Sequence, residues 1–175
     1  AASAETLRLV LTDPLTGLYN RRQFMEQLDF EIRRGARNPH QFALILLDVD
    51  HFKNYNDTYG HLAGDDCLRM MGALLGGAIQ RPGDIVARYG GEEFMVLMPE
   101  TTLQEACQVA ERVRKSVSDD PIDDNSVEVW ATLSIGVAEM DGQNSDIDRI
   151  IRYADQALYA AKAAGRNRIE TYRNP

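Results

Sequence analysis

The segment FALILLDVD, residues 42–50, predicts the central strand of this 175-residue chain. Its first six residues are all apolar and polar residues flank them, which is the pattern of a short strand buried on both faces. Asp48 and Asp50 then mark the end of the strand. Ligands tend to bind at the carboxyl ends of strands in an open α/β sheet, so both are candidate site residues, although polar residues at a strand end are also ordinary.

Outward from this strand, helical and strand-like patterns alternate. Apolar residues at helical spacing predict helices at residues 21–36, 61–79, 103–117 and 147–161. Apolar or β-branched runs predict strands at residues 84–89, 94–99, 127–140 and 168–172, the third of them bent or bulged near residues 134–136. GGEE separates the first two of these strands, which predicts a β-hairpin. The order predicts an α+β, ferredoxin-like fold: a split β-α-β antiparallel sheet flanked by helices, with an additional C-terminal helix and strand.

Composition and charge exclude several classes of protein. With 44% hydrophobic residues, 13 Gly and 6 Pro, the chain can bury a substantial core, which argues against a disordered or fibrous protein. Its net charge of −8 has the wrong sign for a general nucleic-acid binder, so a polyanionic substrate would need metal ions or a local basic patch. Cys67 and Cys107 have no partners at metal-binding or redox spacing, which indicates free thiols in a reducing compartment.

Targeting signals are also missing from the sequence. Its apolar runs fall short of the roughly 20 residues that a membrane-spanning helix needs, and the first ten residues lack the pattern of a secretory signal. We therefore expect a cytoplasmic domain with no nucleic-acid partner and no membrane contact of its own. Whether a longer parent protein is anchored through an upstream segment stays open.

A second polar cluster lies on the predicted hairpin. Gly90 and Gly91 let the backbone approach a ligand closely, while Glu92 and Glu93 place carboxylates beside it. If this hairpin pairs with the strand that ends at Asp48, three or four carboxylates converge. Their repulsion would be relieved by Mg²⁺ or Mn²⁺ together with a nucleoside triphosphate, since these hard cations prefer oxygen ligands.

Phosphate and base recognition have candidate residues but no strong motif. The chain has no P-loop and no dinucleotide-binding glycine motif, so phosphates would have to be held by the turn DVDHFKN (48–54) and by the cations Lys162 and Arg166. Those two cations also suit the end of a helix without any ligand. Asn56 and Asp65 offer an amide and a carboxylate to a guanine edge, but they are equally ordinary turn residues.

Five separated segments, in order, resemble the signature motifs of the bacterial GGDEF domain family, the diguanylate cyclases. They are DPLTGLYNRR (13–22), DVDHFKNYNDTYGHLAGD (48–65), RYGGEEF (88–94), LSIGVA (133–138) and YADQALYAAKAAGRNR (153–168). The resemblance covers residues 12–173 and implies a fold similar to nucleotidyl cyclase and polymerase palm domains. It makes residues 12–175 the catalytic domain and leaves residues 1–11 as a linker, the end of a signalling helix or a frayed terminus.

Members of this family condense two GTP molecules into cyclic di-GMP (c-di-GMP) and release two pyrophosphates. The resemblance implies that two domains face each other as a homodimer, with one GTP and two Mg²⁺ ions, or Mn²⁺ as an alternative, in each half-site. The implied metal ligands are Asp48, the backbone carbonyl of Val49, Glu92 and Glu93. Asp48 and the two glutamates would be catalytic, with Glu92 acting as general base toward the ribose 3′-hydroxyl or only as a metal ligand.

The resemblance also assigns substrate contacts. Asn56 and Asp65 would read the guanine base, and Asp65 favours GTP over adenine nucleotides. The β- and γ-phosphates would be held by backbone at His51 and Phe52 together with Lys53, Lys162 and Arg166. Gly90 and Gly91 would leave room for the nucleotide.

The sequence RPGD, Arg81 to Asp84, precedes GGEEF by five residues. By itself it would be a helix-ending turn with an incidental ion pair. Within the family, an RxxD motif at this spacing is similar to the inhibitory site that binds product. The resemblance therefore implies feedback inhibition by c-di-GMP bound at Arg81 and Asp84, with Arg112 as an additional ligand.

Three other functions compete with a cyclase. A receptor that binds c-di-GMP or GTP without catalysis is disfavoured by the intact GGEEF sequence. A two-metal nucleotidyltransferase or nuclease on a palm-like fold should show a basic, aromatic-bearing groove, which the acidic charge balance disfavours. A structural dimerisation module would not need clustered glycines and carboxylates.

Overall fold

The computed structural model describes residues 3–124, 127–141 and 146–172, and only the backbone at residues 122–124 and 127–129. The predicted linker, residues 1–11, and the predicted catalytic domain, residues 12–175, are therefore described except at residues 1–2, 125–126, 142–145 and 173–175. Within the described ranges the chain forms six helices and seven strands. They are α1 Ala4–Leu11, α2 Arg21–Arg37, β1 Gln41–Val49, α3 Phe52–Tyr59, α4 His61–Ala78, β2 Ile85–Arg88, β3 Glu93–Pro99, α5 Leu103–Ser118, β4 Ile122–Asp124, β5 Val127–Val129, β6 Leu133–Asp141, α6 Ile147–Ala163 and β7 Arg168–Thr171.

Five strands form the main sheet in the order β2-β3-β1-β6-β7. The first four are antiparallel neighbours, which is the strand order of a ferredoxin-like split β-α-β fold and confirms the predicted fold class. The appended strand β7 runs parallel to β6 at the edge of the sheet. Parallel pairing here requires a crossover, and α6 supplies it.

Strand β1 lies at the centre of the sheet, and its side chains alternate between two hydrophobic cores. Ala43, Ile45, Leu47 and Val49 pack with residues of α4 and α5 on one face. Phe42, Leu44 and Leu46 pack with residues of α2 and α6 on the other face. The predicted burial of this strand on both faces is confirmed, and Asp48 falls on the face that α2 and α6 cover.

Helix α6 packs unusually close to the sheet at Gly136 of β6. A Cβ atom at this position would lie 2.4 Å from the backbone nitrogen of Leu158 and 2.5 Å from the carbonyl oxygen of Ala154. Only a residue without a side chain lets the two backbones approach this closely. Gly136 therefore sets the distance between α6 and the sheet.

Two parts of the chain differ from the sequence prediction. The predicted strand at residues 127–140 is two strands: β5 pairs with β4 in a separate two-stranded sheet, and β6 pairs regularly with β1 from Leu133 onward, without a bulge. Helix α3 was not predicted, because its residues are mostly polar and only Tyr55 of the helix is buried. Three aromatic residues, Phe52, Tyr55 and Tyr59, lie on one face of the helix and contact one another, and the first two pack against the core formed with α4 and α5.

None of the helices in the described part of the chain combines the length and the apolar character needed to cross a bilayer.

We expect Gly136→Ala to destabilise the domain by about 1–3 kcal/mol, because the added methyl group overlaps the backbone of α6. Urea unfolding would measure the change. Gly77→Ala is the matched control, because a Cβ atom added at Gly77 of α4 would meet no packed neighbour within 4 Å, and alanine there should be neutral or stabilising by up to about 1 kcal/mol. Equal stability of the two variants would contradict the close packing of α6.

Candidate active site

Two acidic side chains meet across the central strand pair. In the register of β1 and β3, Asp48 lies directly opposite Glu93, so their side chains are on the same face of the sheet. Asp48 is only 4% exposed, whereas Glu93 is partly exposed. Glu92 is held beside them, since its carbonyl oxygen accepts a hydrogen bond of 3.3 Å from the backbone nitrogen of Val49. The structure thus confirms that the hairpin pairs with the strand that ends at Asp48.

A lysine from α6 reaches this acidic pair. The Nζ of Lys162 donates a hydrogen bond of 2.5 Å to Oδ2 of Asp48 across 114 positions of sequence. Glu93 and Lys162 also line an open cleft of about 470 Å³ together with Asp155 and Tyr159 of α6. The predicted Lys162 therefore lies in the same site as the carboxylates.

Burial disfavours the charged forms of the two carboxylates in this site. The pKa of Asp48 is raised, chiefly by desolvation, although the hydrogen bond from Lys162 opposes the shift. The pKa of Glu93 is also raised, first by burial and then by the charges of Asp48 and Asp155. One lysine thus neutralises only part of the negative charge, and a divalent cation would suit the remaining oxygen donors.

The side chains alone do not assemble a complete metal cage. Among the described residues, no three Asp, Glu, His or Cys side chains are placed to hold one ion together. The predicted convergence of three or four carboxylates is therefore only partly present: Asp48 and Glu93 meet, and Glu92 lies at the same edge. Any ion bound here would need oxygen ligands from the backbone or from a bound nucleotide as well.

Asp155 was missed by the sequence analysis. It precedes Lys162 by seven positions on α6, which places the two residues on the same face of the helix. The side chain raises the pKa of Glu93, so it belongs to the electrostatic environment of the site. Helical spacing from the predicted Lys162 was the signal that could have found it.

The corner between α3 and α4 holds the predicted base-reading residues. The Oδ1 atom of Asn56 is buried and has no hydrogen-bond partner within the described structure. Gly64 makes room for it, because a Cβ atom at this position would lie 1.8 Å from that oxygen. Asp65 directly follows Gly64 and is half-buried. An unpaired buried acceptor is costly, so this corner fits a ligand that donates hydrogen bonds.

The residues predicted to bind phosphate lie at the start of α3 and in the turn after α6. His51 adopts a left-handed conformation with φ of 56°, and helix α3 begins at Phe52 without a side-chain cap. The first-turn amides of α3, which include that of Lys53, are therefore available to an anion. Arg166 follows α6 with φ of 64°. No ion pair or hydrogen bond of its guanidinium occurs in the described part of the chain.

The hairpin turn is anchored by an arginine that the sequence analysis did not single out. Arg88 donates hydrogen bonds to the carbonyl oxygen of Gly91, at 3.0 Å from Nε and 2.9 Å from Nη2. It also donates to Oδ1 of Asp13 at 3.1 Å, 75 positions away. Gly90 lies in the same turn, beside Glu93. Both Asp13 and Arg88 lie in motifs quoted above, but no local pattern indicates their contact.

A second cluster lies at the RPGD turn. Arg81 donates to Oδ1 of Asp84 at 2.8 and 3.2 Å, to the carbonyl oxygen of Pro99 at 2.8 Å, and to Thr101. Arg112 of α5 lines the same cavity of about 280 Å³. The structure therefore brings the three predicted inhibitory-site residues together, with Arg81 and Asp84 paired to each other.

A ferredoxin-like sheet with an acidic edge and a cationic helix end beside it defines an α+β domain of the nucleotidyl cyclase type. Comparison with known families agrees, since a family model described as "Diguanylate cyclase, GGDEF domain" matches residues 10–168. The chain belongs to the GGDEF family.

Three relatives show how close the similarity is. The chain is 40% identical over 166 residues to the response regulator PleD of Caulobacter vibrioides. The matched region is 94% of this chain and 36% of PleD. It is 42% identical over 160 residues to the diguanylate cyclase DgcP of Pseudomonas aeruginosa, covering 91% of this chain and 24% of DgcP. The crystal structure of the GGDEF domain of DgcB from Caulobacter crescentus, in complex with c-di-GMP, matches with a TM-score of 0.91, 34% identity and 99% coverage of both chains. The chain thus spans well under half of the length of PleD and DgcP.

We expect Glu93→Gln to raise the thermal midpoint of the metal-free domain by about 1–3 °C, a typical response of a domain of this size to a stabilisation below 1 kcal/mol. Burial and the charges of Asp48 and Asp155 raise the pKa of Glu93, so its charge opposes folding at neutral pH. That cost is relieved as the pH falls through the raised pKa, so the advantage of glutamine should shrink between neutral pH and mildly acidic pH. Calorimetry at both pH values would measure it.

Glu26→Gln serves as the control, because Glu26 is an exposed carboxylate on α2. A midpoint for Glu93→Gln at or below that of the control at neutral pH would show that the Glu93 charge does not destabilise the fold.

Proposed function

We propose that this domain is a diguanylate cyclase that condenses two GTP molecules into c-di-GMP and releases two pyrophosphates. The observation that carries the proposal is the pairing of Asp48 and Glu93 across β1 and β3, with Lys162 as the only cation hydrogen-bonded to them in the described chain. Such a site combines oxygen donors for a metal with a cation for phosphate. Named diguanylate cyclases among the relatives support the same activity.

The acidic edge is the proposed metal centre. Asp48, Glu92, Glu93 and the backbone carbonyl of Val49 would hold Mg²⁺, or Mn²⁺ as an alternative, with two ions in each half-site. A bound ion would neutralise triphosphate charge and lower the pKa of the ribose 3′-hydroxyl. The raised pKa values of Asp48 and Glu93 fit this role, because a nearby dication favours the charged carboxylates.

The chain's own residues then orient the reacting groups. Each ribose 3′-oxygen forms a bond to the α-phosphorus of the other GTP while the bond to pyrophosphate breaks, so the reaction needs positioning more than covalent help from the protein. Glu92, at the edge of the sheet, accepts the 3′-hydroxyl proton or acts only as a metal ligand. The amides at His51 and Phe52, with Lys53, Lys162 and Arg166, hold the leaving phosphates.

Guanine is the proposed base because the α3–α4 corner presents hydrogen-bond acceptors. The unpaired Oδ1 of Asn56 and the carboxylate of Asp65 match the N1–H and N2–H donors of guanine. Adenine offers no donor at N1, so it would leave a buried acceptor unpaired.

Catalysis further requires two domains that face each other, because each supplies one nucleotide. Residues 1–11 are the proposed connection to an upstream signalling segment: α1 buries none of its residues, and Leu7, Leu9 and Val10 are exposed.

We also propose that c-di-GMP inhibits the enzyme at the cluster of Arg81, Asp84 and Arg112. Guanidinium groups bind both guanine edges and phosphates, and the three residues lie around one cavity. The c-di-GMP complex of the DgcB GGDEF domain shows that a close structural relative binds this dinucleotide.

The proposed reaction predicts that the purified domain, freed of nucleotide and at high concentration, converts GTP into c-di-GMP and pyrophosphate when Mg²⁺ is present. Chromatography would resolve the product. Glu92→Ala with Glu93→Ala should lower the rate by about 1000-fold, because charge stabilisation worth several kcal/mol is lost. The control double variant, Glu26→Ala with Asp29→Ala, removes the same charge from exposed positions on α2. Specific GTP binding without product, even after enforced dimerisation, would refute the cyclase and favour a receptor.

Feedback inhibition predicts that Arg81→Ala raises the c-di-GMP concentration for half-inhibition by about tenfold or more, because a charge-assisted contact to the ligand is lost. Rates at increasing product concentration, normalised to the initial rate of each variant, would measure this. Arg69→Ala is the control, since it breaks an exposed pair with Asp66 at the same spacing as Arg81 and Asp84. An unchanged inhibition curve for Arg81→Ala would remove these residues from the inhibitory site.

A further inference from the structure

The turn after α6 has an unusual backbone. Three consecutive residues have positive φ: Gly165 at 121°, Arg166 at 64° and Asn167 at 46°. Glycine adopts such angles readily, but residues with side chains are disfavoured there unless their surroundings hold them. The turn is closed on the helix side, where the amide of Arg166 donates to the carbonyl of Ala161 at 3.0 Å. This bond does not restrain Asn167, so another contact must hold the far side.

Asp50 provides that contact from 117 positions away. Its Oδ2 accepts the backbone amide of Asn167 at 3.0 Å and the hydroxyl of Thr132 at 2.7 Å, while its Oδ1 accepts the hydroxyl of Ser134 at 2.6 Å. The residue is 8% exposed. Both carboxylate oxygens are therefore occupied by neutral donors, and no cation pairs with Asp50 among the described residues.

The side chain of Asn167 is held by a second element, helix α5. Nη1 of Arg114 on α5 donates to its Oδ1 at 2.7 Å. Arg114 is itself fixed by Glu111, which accepts two hydrogen bonds from it at 2.6 and 2.9 Å. The left-handed turn is thus tied to β1 through its backbone and to α5 through a side chain.

The side chain of Arg166 starts from this restrained turn. Its guanidinium has no hydrogen bond or ion pair in the described chain, so contacts fix only the position of the backbone that carries it. A guanidinium that must contact a phosphate loses much of its effect when it is misplaced by about 1 Å. A rigid turn would therefore keep this cation within reach of the ligand before the ligand binds.

We propose that Asp50 is a positioning residue that holds the Gly165–Asn167 turn and thereby directs Arg166 toward the β- and γ-phosphates of the bound nucleotide. The proposal rests on the proposed function, and it separates the two carboxylates of the DVD sequence. Asp48 faces a lysine and a second carboxylate, whereas Asp50 has its oxygens saturated by hydroxyl and amide donors. Asp50 acts through the backbone of Asn167 and does not touch the substrate.

The first test follows the turn itself and needs no enzymatic activity. Hydrogen exchange, read by NMR at the amide of Asn167, should be about tenfold faster in Asp50→Ala than in the wild type, because that amide loses its acceptor. Asp50→Asn retains one oxygen acceptor and should give an intermediate rate. Leu28→Ala, a core substitution on α2, controls for a general loss of stability. Exchange in Asp50→Ala no faster than in Leu28→Ala would overturn the proposal.

The second test asks whether Asp50 acts through Arg166. Calorimetric titration with Mg²⁺ should show about tenfold weaker GTP binding in Asp50→Ala and unchanged GMP binding, since GMP lacks the β- and γ-phosphates. In an Arg166→Ala background, Asp50→Ala should have no further effect on GTP affinity. Equal weakening of GTP and GMP, or additive effects of the two substitutions, would refute the positioning role.

The outcomes separate this inference from the proposed function. A wild type that binds GTP with this pattern but makes no c-di-GMP would refute the cyclase and support the positioning role. A wild type that makes c-di-GMP while the two substitutions act additively would refute only the positioning role. If the wild type does not bind GTP, the phosphate role of Asp50 is refuted together with the proposed function.

Discussion

The central position of β1 is the constraint on which the site depends. Because β1 pairs with β3 on one side and β6 on the other, its register places Asp48 between Glu93 and Ser134. Strand alternation then sends Asp48 to the face that α6 covers, where Lys162 can reach it. A slip of one residue would turn Asp48 into the opposite core and bring Leu47 to face Lys162, so the two apolar cores also enforce the geometry of the charged site.

Close packing of α6 completes that geometry. The charged groups that it brings together lower the stability of the fold. Gly136 lets the helix backbone lie against β6, and this fixes how far Lys162 and Asp155 stand from the carboxylates of the sheet. The result is a group of partly buried acids with raised pKa values and one hydrogen-bonded lysine. The fold gains nothing from such like charges, which is the compromise between stability and activity expected at the proposed binding site for cations and phosphates.

Local environment gives chemically identical residues different roles. Asp48 and Asp50 are two positions apart, yet one faces charged groups across the sheet and the other accepts three neutral hydrogen bonds. A similar division exists among the arginines: Arg88 ties the hairpin turn to Asp13, whereas the guanidinium of Arg166 has no partner in the described residues. Residue type alone would not distinguish these roles, because each depends on the partners that the fold brings near.

The amino-acid pattern was enough to predict the class of fold and to name residues of the candidate site. Apolar runs and helical spacing located the five strands of the main sheet and four helices, and the family motifs named Asp48, Glu93 and Lys162 before their contacts were known. The three-dimensional structure was needed to show where the predicted strand at residues 127–140 divides, that α3 is helical, which donors hold Asp50 and which acceptors hold Arg88. Periodicity reports which residues are buried along one element, whereas the contacts of Arg88 with Asp13 and of Asp50 with Asn167 join residues 75 and 117 positions apart.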